Sequence, residues 1–323
     1  MADTTTKIKT EKKRSGIADF FVRLIREKPM GLIGGIITVL LLIVGIFAPL
    51  LAPYGPNVIH GLNAMEGPSF KFWMGTDWLG RDILSRVIYG ARISLVVGLA
   101  ATLIATVVEI VIGVLSGYIG GKFDLVLQRF VDAVMCFPAL IILMVIISII
   151  HPSMINIILV LGVQMGIGGS RVIRSAVIGI KENLYIQSAV AIGAPTWDVI
   201  RRHIVPNIMA PIIIEFSTRM PAVILTEASL SFLGYGIPPP SASLGALLSG
   251  SARTYMFQSP WMVLWPGLVL SVVVWGVNMF GDAVRDILDP RLRGGIGRYG
   301  LSKKSLEKIS NRSNIPSDVI KAD

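Results

Sequence analysis

Chemistry-bearing side chains are scarce in this sequence. The single cysteine, Cys136, rules out an intrachain disulfide and any CxxC pair for zinc or redox work, and its apolar neighbours mark it as a small buried hydrophobe. The three histidines, His60, His151 and His203, are far apart in the chain, and neither HExxH nor GxSxG occurs, which argues against an intramembrane hydrolase. There is also no GxxxxGK[ST] segment, so the chain has no phosphate-cradling loop of that kind. Charge is thin: 15% of residues are Asp, Glu, Lys or Arg against 53% hydrophobic, a balance that points away from an ordinary soluble domain.

What the sequence does have is long apolar runs. A spanning helix needs about 20 predominantly apolar residues. Gly31 to Leu51 carries no charge, is longer than the core of a signal peptide and ends in Ala-Pro-Tyr, so it reads as a retained anchor. Five more spans are predicted at Ile93–Gly117, Ala133–Ile150, Met154–Gly169, Ile208–Leu225 and Met262–Phe280, with His151, Pro152 and Ser153 making a tight turn between the third and fourth. The expected fold class is an all-α integral membrane protein with six transmembrane helices. It divides into a basic N-terminal segment (1–30), a membrane domain (31–281) and a C-terminal tail (282–323).

The net charge of +10 lies between and outside these runs and is not interleaved with aromatics, so no nucleic acid is expected as a partner. The loops on one side hold 24 Lys and Arg, those on the other 5. The basic side stays inside, which puts both termini in the cytoplasm of a multi-pass protein. Lys12, Lys13 and Arg14 suit anionic membrane lipid. Both ends are polar and aperiodic, which predicts disorder.

The 38 residues from Ser170 to Asn207 are too many for a plain connection. Arg171 to Glu182 can prolong the fourth span, Tyr185 to Ile192 reads as a short helix, and Gly193 breaks it. Thr196 can then cap a second short helix with Asp198 in its first turn, which Pro206 stops. Trp197, Ile200, Ile204 and Val205 leave this helix apolar beside Arg201 and Arg202. Such a knob fits either an apolar groove on a partner or the chain's own helix ends.

Within that loop, Gln187-Ser188-Ala189, then Gly193, then Arg202-His203-Ile204-Val205-Pro206-Asn207 resemble the coupling motif of bacterial ABC importer permeases. The family has Glu-Ala-Ala where this chain has Gln187-Ser188-Ala189, and Leu in place of Val205. Three further segments are similar to the second permease subunit of the dipeptide, oligopeptide and nickel branch. They are Met74-Gly75-Thr76-Asp77 through Arg92, Glu227-Ala228-Ser229-Leu230-Ser231-Phe232-Leu233-Gly234 with Pro238-Pro239-Pro240, and Asn278 through Asp289-Pro290-Arg291. The likeness spans about Gly31 to Arg293. It implies a permease subunit of a binding-protein-dependent importer in the bacterial inner membrane, forming half of a path for peptides or similar solutes.

The implied partners are a second homologous permease, two ABC ATPase subunits and an extracytoplasmic substrate-binding protein. ATP and Mg would act on the ATPases, with no cofactor or metal on this non-catalytic chain. The ATPase-coupling residues implied are Gln187, Ser188, Ala189, Gly193, Ala194, Thr196, Trp197, Asp198, Arg202, His203 and Pro206. The alternatives are a membrane scaffold, or a secondary transporter without an ATPase, although no inverted repeat is evident.

Four polar residues inside or beside the spans are candidates for the translocation path: Glu109, Glu215, Arg219 and Asn278. An ionisable group at mid-bilayer costs about 2.5–3.5 kcal/mol on insertion scales, so these should face the bundle interior. Glu215 and Arg219, four apart with the acid first, suit an intrahelical pair. Gly75, Gly80 and Gly90 read as turns in a latch charged by Asp77, Arg81, Asp82, Arg86 and Arg92, and Pro238-Pro239-Pro240 as an extended ledge. Gly113 and Gly117 form a GxxxG spacing that permits close helix contact.

The topology has a direct test. With Cys136 replaced, single cysteines at 52–92 and 226–261 should react with an impermeant thiol reagent in intact cells, whereas Lys181→Cys should react only after lysis. Labelling of Lys181→Cys in intact cells would invert the orientation.

Overall fold

A computed structural model describes residues 16–241 and 243–288, so residues 1–15, with the Lys12–Arg14 cluster, and 289–323 lie outside the described residues, whereas Gly16–Glu27, within the N-terminal segment expected to be disordered, is helical. The helices in order are α1 (Gly16–Glu27), α2 (Pro29–Ile46), α3 (Ala48–Leu51), α4 (Ile83–Ile119), α5 (Gly121–Met135), α6 (Ala139–Ile150), α7 (Met154–Lys181), α8 (Leu184–Ala191), α9 (Thr196–Val199), α10 (Val205–Asn207), α11 (Met209–Phe232), α12 (Leu244–Leu247), α13 (Ser251–Thr254) and α14 (Trp261–Leu288). No strand occurs among the described residues. In hydrocarbon every backbone N–H and C=O must be satisfied within the protein, which is why the apolar runs become helices.

Several spans differ from the sequence expectation. The first divides at Phe47 into α2 and α3, just ahead of Pro49. The third, expected as one helix over Ala133–Ile150, is bent by 87° between α5 and α6. Pro138 explains the elbow, since it cannot donate a backbone hydrogen bond and biases Phe137 away from helical geometry. Five helices among the described residues are long and apolar enough to cross a membrane, and six if the bent pair is one span. Cys136 sits at this elbow and is exposed, contrary to the buried position its neighbours suggested.

Other helices outrun their predicted ends. Helix α4 has 37 residues and so extends about 55 Å, well beyond the roughly 30 Å hydrocarbon layer. It absorbs Gly90, which is therefore not a turn residue. Asp82 caps α4, its Oδ2 accepting the Ser85 N–H at 2.8 Å and the Ser85 hydroxyl at 2.6 Å. Helix α11 continues to Phe232, so Glu227–Phe232 belong to it and not to an external loop. Pro239 and Pro240 lie in a turn, not an extended ledge, and α14 runs past residue 282 to Leu288.

The α4–α7 seam organises the bundle. Gly113 and Gly117 on α4 lie against Ile173, Arg174 and Val177 of α7, while Gly162 and Gly166 on α7 lie against Ile104 and Val108 of α4. A Cβ at any of the four would fall within 3.0 Å of the facing helix. Lipid tails are as apolar as leucine, so helices in a membrane gain little from hydrophobic burial and depend on such close contact. Helix α11 crosses this pair, its Ile224 filling the space over Gly98 of α4, and α14 packs against α11 and α2.

The segment before α4 is a charged latch, as its glycines and ions suggested. Asp77 accepts the Leu79 and Arg81 N–H groups at 2.9 Å each and the Arg81 Nε–H at 2.7 Å, with Arg86 Nη1 at 3.7 Å. Gly75 and Gly80 hold φ of 76° and 78°. Arg92 is exposed and outside the cluster.

The seam predicts the effect of adding one methyl group. Gly113→Ala places Cβ 2.7 Å from both Ile173 Cβ and the Ser170 carbonyl oxygen, which is backbone and cannot swing aside. It should destabilise the purified protein by about 1–3 kcal/mol. Gly179→Ala on the same α7, where nothing lies within 4 Å, is the control. Equal thermal midpoints for the two variants would show that the seam is not tightly packed.

Candidate functional site

Two constellations emerge from this frame: a buried ion triad within the bundle and the compact loop between α7 and α11.

Arg219 on α11 is held by two acids on two helices. Its Nη2 lies 2.5 Å from Glu215 Oε2 on the same helix, the pair that the spacing implied, and its Nε lies 2.7 Å from Glu109 Oε1 on α4. The Glu109 contact is an ion pair, not an aligned hydrogen bond. Arg219 Nη1 donates to the Met165 carbonyl oxygen of α7 at 3.0 Å, so one guanidinium ties α4, α7 and α11 together. Room for it comes from Gly169, where a Cβ would sit 2.3 Å from Arg219 Nη2 and 2.5 Å from Glu109 Oε1. Glu109 is only 1% exposed, whereas the Glu215 side chain is 18% exposed. Asn278 does not join them; it is exposed on α14.

Sequence reasoning missed a second buried acid. Glu227, fully buried near the end of α11, accepts the Ser231 hydroxyl at 2.7 Å and the Ser94 hydroxyl of α4 at 3.3 Å. Ser243 donates to Ser231 at 3.1 Å, and the Leu244 N–H donates to Ser94 at 3.3 Å, so the hydroxyl cage pins α12 onto α4 and α11. The available signal was the serine spacing: Ser231 lies one turn after Glu227 on the same face.

The loop is a folded platform. After α8, the Gly193 N–H donates to the Val190 carbonyl oxygen at 2.9 Å and the Ala194 N–H to that of Ala189 at 3.1 Å, with Gly193 at φ 85°. This is a Schellman ending, whose left-handed residue favours glycine. Thr196 is the first residue of α9 and makes no capping bond, since Pro195 holds the cap position. A π-turn over Ile200–Ile204 joins α9 to α10, and the Val205 N–H reaches back to the Ile200 carbonyl oxygen. That wide turn sits immediately ahead of Pro206, whose ring would collide with the carbonyl four residues back in an ordinary α-turn. Pro206 therefore lies inside α10, and the helix ends after it.

The apolar residues of this platform divide between two faces. Ile186, Val199, Ile200 and Ile204 are buried against Val114, Ile173 and Val177 at the ends of α4 and α7. Ile200 and Ile204 therefore do not project toward a partner. Leu184, Tyr185, Val190, Ile192 and Trp197 remain exposed, Ile192 at 86% and Trp197 at 68%. Around them Asp198 pairs with Arg202 at 3.7 Å, and the Tyr185 and His203 rings lie 6.3 Å apart. Gln187 is exposed and folds back, its amide donating to the Glu182 carbonyl oxygen at 3.1 Å. Ser188 donates to the Leu184 carbonyl oxygen at 2.8 Å.

Comparison with known proteins gives consistent matches. Residues 109–294 match the family described as binding-protein-dependent transport system inner membrane component, and residues 18–68 match the N-terminal TM domain of oligopeptide transport permease C. The dipeptide transport system permease protein DppC of Alkalihalophilus pseudofirmus is 37% identical over 270 residues, covering 83% of this chain and 88% of that protein. The oligopeptide transport system permease protein OppC of Bacillus subtilis is 34% identical, covering 83% and 88%. The glutathione transport system permease protein GsiD of Escherichia coli O157:H7 is 36% identical, covering 85% and 90%.

The triad yields a charge-balance test. Arg219→Ala leaves two adjacent carboxylates without their cation and should cost about 3–5 kcal/mol, the scale for breaking a buried pair from one side. Adding Glu109→Gln and Glu215→Gln should restore part of that loss in thermal unfolding of the purified protein. A triple variant no more stable than Arg219→Ala would mean that the three residues do not act as one unit.

Proposed function

Since the chain belongs to the family of binding-protein-dependent transport system inner membrane components, as a permease C-type subunit of the dipeptide and oligopeptide branch, we propose that its α8–α10 platform is the surface on which an ATPase subunit acts. The chain is the multi-pass inner-membrane permease component of an importer. In the proposed arrangement both termini and the platform are cytoplasmic, and two ATPase subunits carry ATP and Mg. A second permease completes the path, and an extracytoplasmic binding protein delivers a solute of the peptide class, in keeping with the dipeptide, oligopeptide and glutathione systems named for the relatives.

The observation that carries this reading is the division of the platform's apolar residues. A loop merely folded onto its own subunit would bury its large hydrophobics, but here Leu184, Tyr185, Ile192 and Trp197 stay outside while Ile200 and Ile204 fasten the other side. An exposed apolar knob rimmed by Arg201, Arg202 and Asp198 suits a groove on a partner protein. Gln187 stands where the family carries an acid, so its amide would meet the partner through hydrogen bonds without a full charge.

The platform also has a route to the membrane. Ile173 and Val177 belong to the same uninterrupted α7 as Met165 and Gly169, so a push on the platform moves the backbone that cradles Arg219. Glu215, the more exposed acid of the triad, and Asn278 are the residues proposed to reach the path, because an amide or carboxylate facing bare lipid would be costly. Glu109 would hold the helices in register without touching solute.

Gly193→Val tests the coupling role. A β-branched residue is strained at φ 85°, yet nothing lies within 4 Å of the position, so damage should stay within the turn. Membrane insertion and abundance should stay near wild type while substrate-stimulated ATP hydrolysis and uptake by the reconstituted complex fall several-fold. Wild-type uptake by an assembled Gly193→Val complex would remove the coupling assignment, and a scaffold would show no such loss.

A further inference from the structure

The α5–α6 elbow opens a hollow that the transport reading does not use. Its volume is about 550 Å³, within the range of roughly 300–1,000 Å³ typical of small-molecule sites. It lies between the elbow and α7, lined by apolar side chains including Val134, Phe137, Ile146, Leu159 and Val163, with Gln164 as the one polar lining residue. A second hollow of similar volume continues along the same two helices and is lined by Asp124, Arg129, Asp132, Arg171 and Arg174. The two adjoin: Ala133 of the apolar hollow follows Asp132 of the charged one, and Ile167 lies one turn before Arg171 on α7. A hydrocarbon slot therefore runs into a charged rim.

The rim is not electrically balanced. Arg174 is matched by Asp124, with Nη2 2.5 Å from Oδ2 and Nε donating to Oδ1 at 2.7 Å. Asp132 alone serves two arginines, Arg129 at 3.3 Å and Arg171 in direct contact. One positive charge is left over at the mouth of the apolar slot, on side chains that are 77% exposed for Arg129 and 43% for Arg171.

We propose that this groove binds an anionic phospholipid, with an acyl chain in the elbow hollow and the headgroup phosphate on Arg129 and Arg171. Guanidinium matches phosphate oxygens in pairs, and Asp132 sets the two arginines side by side for it. The lipid would fill the space that the 87° bend leaves open beside α7, below the point where Leu143 and Ile147 of α6 already pack on Ile157 and Leu161 of α7. A neighbouring helix is a poorer occupant, because its surface would have to present an anion at this one depth to satisfy the rim.

The test uses the full-length protein purified in detergent and then incubated with dioleoylphosphatidylglycerol or dioleoylphosphatidylcholine, with retained lipid counted by native mass spectrometry. The two lipids share acyl chains and differ in net headgroup charge. One unbalanced arginine should favour phosphatidylglycerol about five-fold. Arg171→Gln and, independently, the surface change Arg129→Gln should each remove that preference, while Val163→Trp should block retention of both lipids by filling the slot. Equal retention of the two lipids by the wild type, or undiminished retention by Val163→Trp, overturns the site. Efficient cross-linking of Val163→Cys to another subunit in native membranes also overturns it, by showing that protein fills the groove.

Discussion

The close approach of α4 and α7 governs much of what this chain can do. Within a bilayer two apolar helices are no better off together than in lipid, so their association rests on van der Waals contact over a long seam. Gly113, Gly117, Gly162 and Gly166 bring the backbones near enough for that contact. Three features hang on the seam. It lets Glu109 of α4 reach past Gly169 of α7 to Arg219, it aligns Val114 with Ile173 and Val177 as the floor of the platform, and it fixes the α7 face that lines the elbow hollow.

Features that depend on local chemistry were legible in the sequence. The apolar runs gave helices, the long loop gave short helices around a Gly193 break, and the spacing of Glu215 and Arg219 gave their ion pair. Features that depend on rotation of one helix against another were not legible. Glu109 could be marked as out of place in a span, but nothing nearby in sequence names Arg219 as its partner. Ile200 and Ile204 carry the same chemistry as the exposed Ile192, and only the orientation set by the π-turn turns them inward. The elbow is an intermediate case. Pro138 lies inside the run predicted as the third span, Ala133–Ile150, and the chain bends there by 87°.

Helix ends carried the remaining misreadings, and they share one cause. The predicted spans end where apolar residues stop, but α4, α11 and α14 continue through polar residues, as α7 is expected to, because tertiary partners await them outside the hydrocarbon. Glu227 shows this most clearly. It falls just beyond the predicted fifth span, Ile208–Leu225, yet three serines from three elements surround it inside the fold. Burial of a carboxyl group is tolerable where hydroxyl donors replace water, and Ser94, Ser231 and Ser243 supply them.

The two buried acid clusters differ in a way that bears on transport. Glu227 is enclosed by short serine side chains that also anchor α12, an arrangement suited to holding one geometry. The triad sets two carboxylates against one guanidinium across three helices, and Arg219 contacts α7 only through a backbone carbonyl. Well-packed apolar residues could hold three helices as firmly as a buried ion pair does, so stability alone is a weak reason for such charges. What the triad adds is register: Arg219 meets both acids only when α4 and α11 hold one rotation and one axial offset, and any slide of α7 displaces the carbonyl it shares. A permease must change the relation of its helices in each transport cycle, and these contacts can distinguish one arrangement from another by charge as well as shape.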